Sequence, residues 1–381
     1  MPHSYLAIAA FMLSGLFSCS RTVEDNPGTS AEEPVVKTET LVNNYEIIWG
    51  MDFLPDGDLL FTEKKGKIHR YSKGTVTEIT GVPAVNNGGQ GGLLDLKVHP
   101  NYAQNGWIYC TYSGTDNTGK GSWNLARFKI TANAVNSWQS LLTTTSPNGW
   151  QGHYGSRIVF GPDNLLYVSV GEGGPGTQGG ANSFNKNAQS TTEIWGKVHR
   201  LTDDGLVPGD NPILPGNAAP NSIYSYGHRN PQGLAWNPFT NELWETEHGP
   251  KGGDEVNIIR KGANYGWPLV SYGINYDGTT ISENPEMTGV DKPIHTWTPS
   301  IATCGLAFIT SNKFKAWKGN MLVGSLVFKY LSRLEMSGNR VVKENKLLEN
   351  IGRVRNVKQG PDGNIYVSVE GPGRIIRLVA E

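Results

Sequence analysis

The chain repeats one short pattern five times and, more weakly, a sixth. Each copy is an apolar or alternating run, a turn rich in Pro, Gly, Asn or Asp, and a second run rich in Leu, Ile, Tyr and Val. The copies are "MDFLPDGDLLFTEKKGKIHRY" from Met51, "LDLKVHPNYAQNGWIYCTYS" from Leu94, "RIVFGPDNLLYVSVGEGG" from Arg157, "LAWNPFTNELWETEHGP" from Leu234 and "VKQGPDGNIYVSVEGPGRIIRL" from Val357. The weaker one, "LAFITSNKFKAWKGNMLVGSL" from Leu306, has an expanded turn. Each reads as strand, turn, strand. A unit this small cannot bury its own apolar faces, so copies must pack on one another. Unequal insertions between copies favour a ring over a sandwich, because a ring can gather them over one face. The expected fold is therefore all-β, a six-bladed β-propeller with long loops over one face. Those loops are expected near 80–92, 145–157, 171–195, 203–232 and 245–300, and they should form most of the functional surface.

Composition supports this reading. The chain has 48 glycines, 22 prolines and 11 tryptophans in 381 residues, as tight turns between aromatic-rich strands require. A formal net charge of -1, without any long basic run, excludes nucleic acid as a partner and gives no electrostatic pull toward an anionic membrane. The apolar stretch from Tyr5 to Phe17 is too short to span a bilayer and has the size of a signal-peptide core. Leu16, Phe17, Ser18 and Cys19 resemble a bacterial lipobox, although Phe17 is bulkier than usual and no Lys or Arg precedes the apolar run. Residues 1–19 are thus read as a signal peptide of lipoprotein type, 20–40 as a flexible tether and 41–381 as the propeller. The implied location is exported, periplasmic or on the outer membrane, with Cys19 as the sole membrane attachment. Cys110 and Cys304 sit in apolar strand contexts and are expected to be small buried hydrophobes.

Donor-rich residues mark the loops that enter the blades. "SYGHRNPQGLAWNP" brings His228, Arg229 and Asn230 to a blade entrance, and four other segments occupy corresponding places. They are "GGQGGLLDL" with Gln90, "GHYGSRIVF" with His153 and Arg157, "TEHGPKGGDEVNII" with Gly249 and Pro250, and "IGRVRNVKQGPDG" with Arg353 and Arg355. Several guanidiniums gathered at one channel mouth call for a small polyanion, since each planar fork matches a carboxylate in bidentate fashion. Asp254 and Glu255 read as loop braces that accept backbone amide hydrogen bonds.

Seven motifs in order, "QGGLLDL", "HYGSRIVFGPDN", "GKVHRLTDDG", "YGHRNPQGLAW", "EHGPKGGDEVN", "NYGWP" and "RVRNVKQGPDGNIY", resemble the soluble glucose and aldose sugar dehydrogenases that use pyrroloquinoline quinone (PQQ) on a six-bladed propeller. The resemblance spans nearly all of residues 41–379. It implies oxidation of an aldose at its anomeric carbon to the lactone, with electrons passed to an external acceptor and with PQQ and calcium (Ca2+) as cofactors. It implies His153 as general base beside Gln90, and Arg229 near the reactive carbonyl with Asn230 as a second cofactor contact. Arg353 and Arg355 would hold the cofactor's carboxylates, with Arg157 counted among the cofactor-binding residues. The backbone carbonyls of Gly249 and Pro250 would hold the calcium ion.

Two departures bear on this. The family places a Lys directly after a "GSL" run, where this chain has Val327; Lys329, two residues on, is the expected substitute if the strand continues. Gly152 stands before His153 where the glucose-specific members carry an acid, which implies a broader sugar range. The residues alone also admit a calcium-dependent lactone hydrolase, or a non-catalytic propeller binding glycans through "SWNLARF", "NGWQGHYG" and "NYGWPLVSYG".

Overall fold

The computed structural model describes Met1 and residues 32–381 apart from 117 and 175–177. Among the described residues there are six four-stranded antiparallel sheets. They form the six blades of a β-propeller. Five blades are continuous in sequence. Their inner strands are Ile48–Phe53, Leu93–Val98, Ile158–Phe160, Pro231–Asn237 and Thr303–Phe308, for blades 1 to 5 in turn. Blade 6 begins at Arg353–Gln359, continues through Ile365–Glu370 and Gly373–Ala380, and borrows its outer strand, Val36–Tyr45, from the other end of the chain. That strand pairs from Val36 opposite Ala380 to Tyr45 opposite Gly373, so the two ends close the ring.

The first described strand therefore starts at Val36, inside the segment that composition assigned to the tether. The signal-peptide reading, Cys19 and most of the tether lie outside the described residues. No described helix is long and apolar enough to cross a membrane. Cys110 and Cys304 are buried and unpaired.

Blade faces pack through fully buried residues such as Trp123, Leu125, Leu166, Val168 and Trp195 between blades 2 and 3. At the axis, by contrast, the inner strands approach too closely for large side chains. A Cβ on Gly50 would lie 2.8 Å from the Asp95 Cα, and one on Gly305 2.7 Å from the Asn356 Cα. Hydroxyls bridge these junctions. Thr62, in the second strand of blade 1, accepts from Gly50 N (2.8 Å) and donates to Leu94 O of blade 2 (2.6 Å). Thr111 accepts from Asp95 N (3.1 Å) and donates to Ser156 O (2.8 Å); Ser169 accepts from Arg157 N (3.0 Å) and donates to Pro231 O (2.9 Å).

Antiparallel order also corrects the loop map. Residues 203–222 join the third and fourth strands of blade 3, Lys197–Leu201 and Ile223–Tyr226. They therefore turn at the end opposite the blade entrances. Within 245–300 lie two strands, Asp254–Ile259 and His295–Trp297. The segment between those strands climbs beside blade 3, where Tyr226 N donates to Ala263 O and Tyr265 N to Tyr226 O. It thereby carries Trp267 to the entrance end.

The closing strand gives a direct test. Val42 is 4% exposed and packs with Ile375 and Tyr366, whereas Val35 is 65% exposed. Val42→Asp should lower unfolding stability by about 3 kcal/mol through an unpaired buried carboxylate, read as a fall in the urea midpoint. Val35→Asp should leave that midpoint unchanged.

Candidate functional site

At the end where the inner strands begin, the channel opens into a cavity of about 230 Å³ with residues of every blade in its wall. Gln90, His248, Arg353, Arg355, Glu370 and Lys64 supply its polar lining, and Trp49 and Tyr154 much of its apolar surface. Arg355 donates from Nε to Glu370 Oε1 (2.5 Å) and from Nη1 to Gln232 Oε1 (2.6 Å), while Arg353 Nε donates to Glu370 Oε2 (2.8 Å). Burial raises the Glu370 pKa, but Arg355 and Arg353 outweigh it and hold the carboxyl below its usual range. One carboxylate thus faces two guanidiniums and the Lys64 ammonium, and the cavity carries a net positive charge.

His153 stands just behind the wall residues Gln90, Tyr154 and Gly155, on a contorted loop. Gln151, His153, Gly155 and Ser156 all have left-handed backbone, with φ of 58°, 49°, 61° and 91°. Such strain persists only where the surroundings over-determine it. Here Asn148 does so, accepting from Gln151 N (2.9 Å) and donating to Gly152 O (2.7 Å). The His153 amide donates to Gln90 Oε1 (3.0 Å), and Trp150 packs edge-on at 4.7 Å. Gly152 is bare because a Cβ there would lie 2.3 Å from the Trp150 ring.

Behind the imidazole lies Glu172, 1% exposed, with its Oε1 2.9 Å from His153 Nδ1. Trp267 Nε1 donates to the other carboxylate oxygen. Burial pushes the Glu172 carboxyl up to about 8, against the lowering effects of Arg229 and Trp267. Burial likewise lowers His153 well below the ordinary imidazole value, with Arg229 and His248 adding to the shift. Both groups are therefore driven toward their neutral forms, yet only one proton fits between Nδ1 and Oε1. With Glu172 ionised, that proton belongs to Nδ1 and leaves Nε2 as a base; Nε2 makes no hydrogen bond among the described residues. Glu172 was not singled out from sequence, and Trp267 only as the tryptophan of "NYGWP" and of the glycan-binding candidate "NYGWPLVSYG", not as the partner of an acid. The available signal was an acid directly after the "YVSVG" strand, but its partner comes from a loop 19 residues away.

Arg229 is 2% exposed and lies 5.0 Å from the Trp267 ring centroid. Its Nη1 donates to His248 O (3.1 Å) and Gly249 O (2.8 Å), whereas Nε and Nη2 are buried without partners. His248 Nε2 is buried and unpartnered as well. Burial, then Arg355 and Arg229, push the His248 imidazole down to about 3, so it is neutral. Orphaned donors in a dry site imply a ligand that supplies acceptors.

Asn230 Oδ1 accepts from Gly155 N (3.1 Å), which ties the Arg229 segment to the His153 loop. Gly249 N donates to Asp254 Oδ1 (2.9 Å), and that carboxylate also takes Ser300 Oγ and Thr303 N. Asp254 therefore braces the Gly249–Pro250 loop. Glu255 differs from expectation: it accepts from the Asn257 side chain (3.1 Å) and, among the described residues, from no backbone amide.

Two expected cofactor residues lie elsewhere. Arg157 is in the layer beneath, held by Asp95 (2.9 Å) and Gln232 O (3.1 Å) and stacked on Trp49 at 4.3 Å, because strand alternation turns it along the channel. Lys329 is exposed at φ 58° in the turn between Met321–Ser325 and Leu331–Ser337. The strand ends at Ser325, so two-residue alternation does not reach it, and it does not line the cavity. The amine that does is Lys64, from blade 1, whose pKa burial and Arg355 lower.

Comparison with known proteins identifies the family to which the chain belongs. Residues 45–377 match the family described as Glucose / Sorbosone dehydrogenase. The aldose sugar dehydrogenase of Escherichia coli (strain K12) is 35% identical over 378 residues, covering 97% of this chain and 98% of the relative. The apo crystal structure of the soluble aldose sugar dehydrogenase from Escherichia coli superposes with a TM-score of 0.85 at 34% identity, over 91% of this chain and 100% of that one. The PQQ-bound aldose sugar dehydrogenase from Streptomyces coelicolor superposes with a TM-score of 0.73 at 28% identity, over 92% of this chain and 100% of that one.

The His153–Glu172 pair can be read without any ligand. In ¹⁵N NMR of the folded chain, the His153 ring nitrogens should report an ionisation near pH 8, where Glu172 loses its proton and Nδ1 gains one. Glu172→Gln should abolish that step. A curve unchanged by the substitution would show that Glu172 does not set the tautomer.

Proposed function

Since the chain belongs to the glucose/sorbosone dehydrogenase family, we propose that it oxidises an aldose at the anomeric carbon to the lactone, with PQQ and calcium bound in the 230 Å³ cavity. The observation that carries the reading is His153, backed by Glu172 and set beside a guanidinium with two buried, unpartnered nitrogens.

The lining fits the cofactor. PQQ is an ortho-quinone with three carboxylates, and when bound it would supply the hydride acceptor. Arg353, Arg355 and Lys64 would hold carboxylates, Gln90 would flank the ring system, Asn230, buried behind the wall, would act by fixing the His153 loop, and Arg229 would offer its free Nε and Nη2 to a carbonyl oxygen. The Gly249 carbonyl already accepts from Arg229, but a carbonyl has two lone pairs, so it and Pro250 can offer oxygens to a hard cation.

The protein's own part is proton management and positioning. His153 Nε2 takes the proton of the anomeric hydroxyl while Nδ1–H stays on the Glu172 carboxylate, which favours the imidazolium that forms. Arg229 places positive charge where negative charge grows as hydride leaves the sugar, in a site too dry to screen it. Protonating Glu172 makes its carboxyl the donor to Nδ1, moves the ring proton to Nε2 and removes the base. The bare Gly152 and the exposed Trp150 leave the sugar's outer side without an acid to select among aldoses. An external acceptor would then reoxidise the site. The Tyr5–Phe17 run and Cys19 support export and lipid attachment, which loss of Cys19 lipidation in Cys19→Ser would test.

Dye reduction by the purified chain should require both PQQ and Ca2+ and cease on chelation. His153→Ala should lower turnover by about 10²- to 10⁴-fold while PQQ absorbance still titrates onto the protein. Turnover should rise with pH through an apparent pKa of about 8, the Glu172 value, and Glu172→Gln should lose that limb. Lys64→Met should weaken PQQ binding, whereas Lys329→Met should not.

A further inference from the structure

A second cavity, of about 220 Å³, lies further along the same channel. Its lining residues stand later on the inner strands than those of the upper cavity: Asp95 and Lys97 on blade 2, Arg157 at the start of blade 3, and Asn356 and Lys358 on blade 6. Trp49 and the Arg157 guanidinium stacked on it form the partition between the two cavities.

The charges of this lower cavity do not balance. Arg157 is matched by Asp95, which accepts from its Nη1 and from Ile158 N, both at 2.9 Å. Lys97 and Lys358 share one acid. Asp52 Oδ2 lies 2.9 Å from Lys97 Nζ and Oδ1 2.7 Å from Lys358 Nζ, and Asp52 also accepts from Val98 N. Three cations thus face two carboxylates. Each ammonium has three N–H groups, and Asp52 is the one hydrogen-bond acceptor that either finds among the described residues. The Asn356 side chain, 4% exposed, makes no hydrogen bond there either. Burial, reinforced by Lys97, lowers the Lys358 pKa, whereas at Lys97 burial is outweighed by Asp52, which raises the pKa; the two side chains are 27% and 23% exposed, so an anion in the cavity can reach both ammoniums.

We propose that this lower cavity binds one small oxyanion of the phosphate type, held by Lys97, Lys358 and Asn356. A tetrahedral oxyanion has acceptors in every direction, which suits ammonium and amide donors arriving from two blades. At about 30 Å³ per water, the cavity has room for such an ion with part of its hydration shell. The site is separate from the upper cavity and independent of the chemistry proposed there.

Calorimetric titration of the folded chain with inorganic phosphate, against chloride at equal ionic strength, tests this. One phosphate per chain should bind saturably in the millimolar range. Lys358→Met and Lys97→Met, each leaving a one-to-one pair with Asp52, should both weaken binding by at least about ten-fold, equivalent to 1.4 kcal/mol. Arg353→Gln, which thins the positive charge of the upper cavity only, should bind as the wild type does. Thermal melts of every variant check folding, and phosphate should raise the melting temperature of the wild type and of Arg353→Gln alone. Absence of saturable binding by about 10 mM, or loss of binding in Arg353→Gln with retention in both lysine variants, would overturn the proposal.

Discussion

The structure depends on how six strands meet around one axis. Inner strands of adjacent blades are not paired into a common sheet, so backbone groups at their near ends need partners where there is no room for large side chains. The hydroxyls of Thr62, Thr111 and Ser169 meet that need by joining an amide of their own blade to a carbonyl of the next. Each accepts one hydrogen bond and donates another, which a hydroxyl can do and a methyl cannot. Apolar packing holds the blades face to face further out, and the axis is left to polar contacts. Charge therefore collects there: buried Asp52, Asp95, Arg157, Arg355 and Glu370 and half-buried Lys97 and Lys358 all line or brace the channel.

Positioning of the upper site follows the same economy. Glu247 takes the amides of Arg229 and Asn230 on one carboxylate oxygen, at 2.5 and 3.3 Å, while Asp254 takes the amides of Gly249 and Thr303. Two buried acids thus fix the backbone of two loops. The guanidinium of Arg229 is left with nitrogens to spare, because its neighbours already use the carboxylates that would otherwise pair with it.

The repeat was legible because strand alternation and turn residues are local properties. Blade number and order followed from it, as did the gathering of Gln90, His153, Arg229, Arg353 and Arg355 at one end. What sequence could not give depends on where a strand stops. Lys329 was placed by extending a strand beyond Ser325, and the chain turns there instead. Arg157 sits two residues from Gly155, which lines the upper cavity, but its side chain runs down the channel to Asp95. The borrowed outer strand at Val36–Tyr45 lay hidden in a polar, acid-rich stretch, since an edge strand with one exposed face has no apolar run to announce it. Glu172 comes from the long connection between the second and third strands of blade 3 and Lys64 from a hairpin turn of blade 1, and only the three-dimensional ring brings the first behind His153 and the second to the cavity.

The poise of His153 is the outcome of opposed effects of similar size. Burial alone would leave Glu172 protonated and useless as a partner, since a neutral carboxyl would donate to Nδ1 and put the ring proton on the wrong nitrogen. Arg229 and the Trp267 N–H pull the other way, and the balance comes to rest at about 8. Those two groups are also in contact, with the Arg229 guanidinium 5.0 Å from the Trp267 ring. The same arginine thus stands at both ends of the problem: it favours ionised Glu172, disfavours protonated His153, and keeps two buried nitrogens without a partner. A negatively charged group bound to those nitrogens would draw on Arg229 and so loosen its hold on Glu172. The basicity of His153 is in this way coupled to what occupies the cavity.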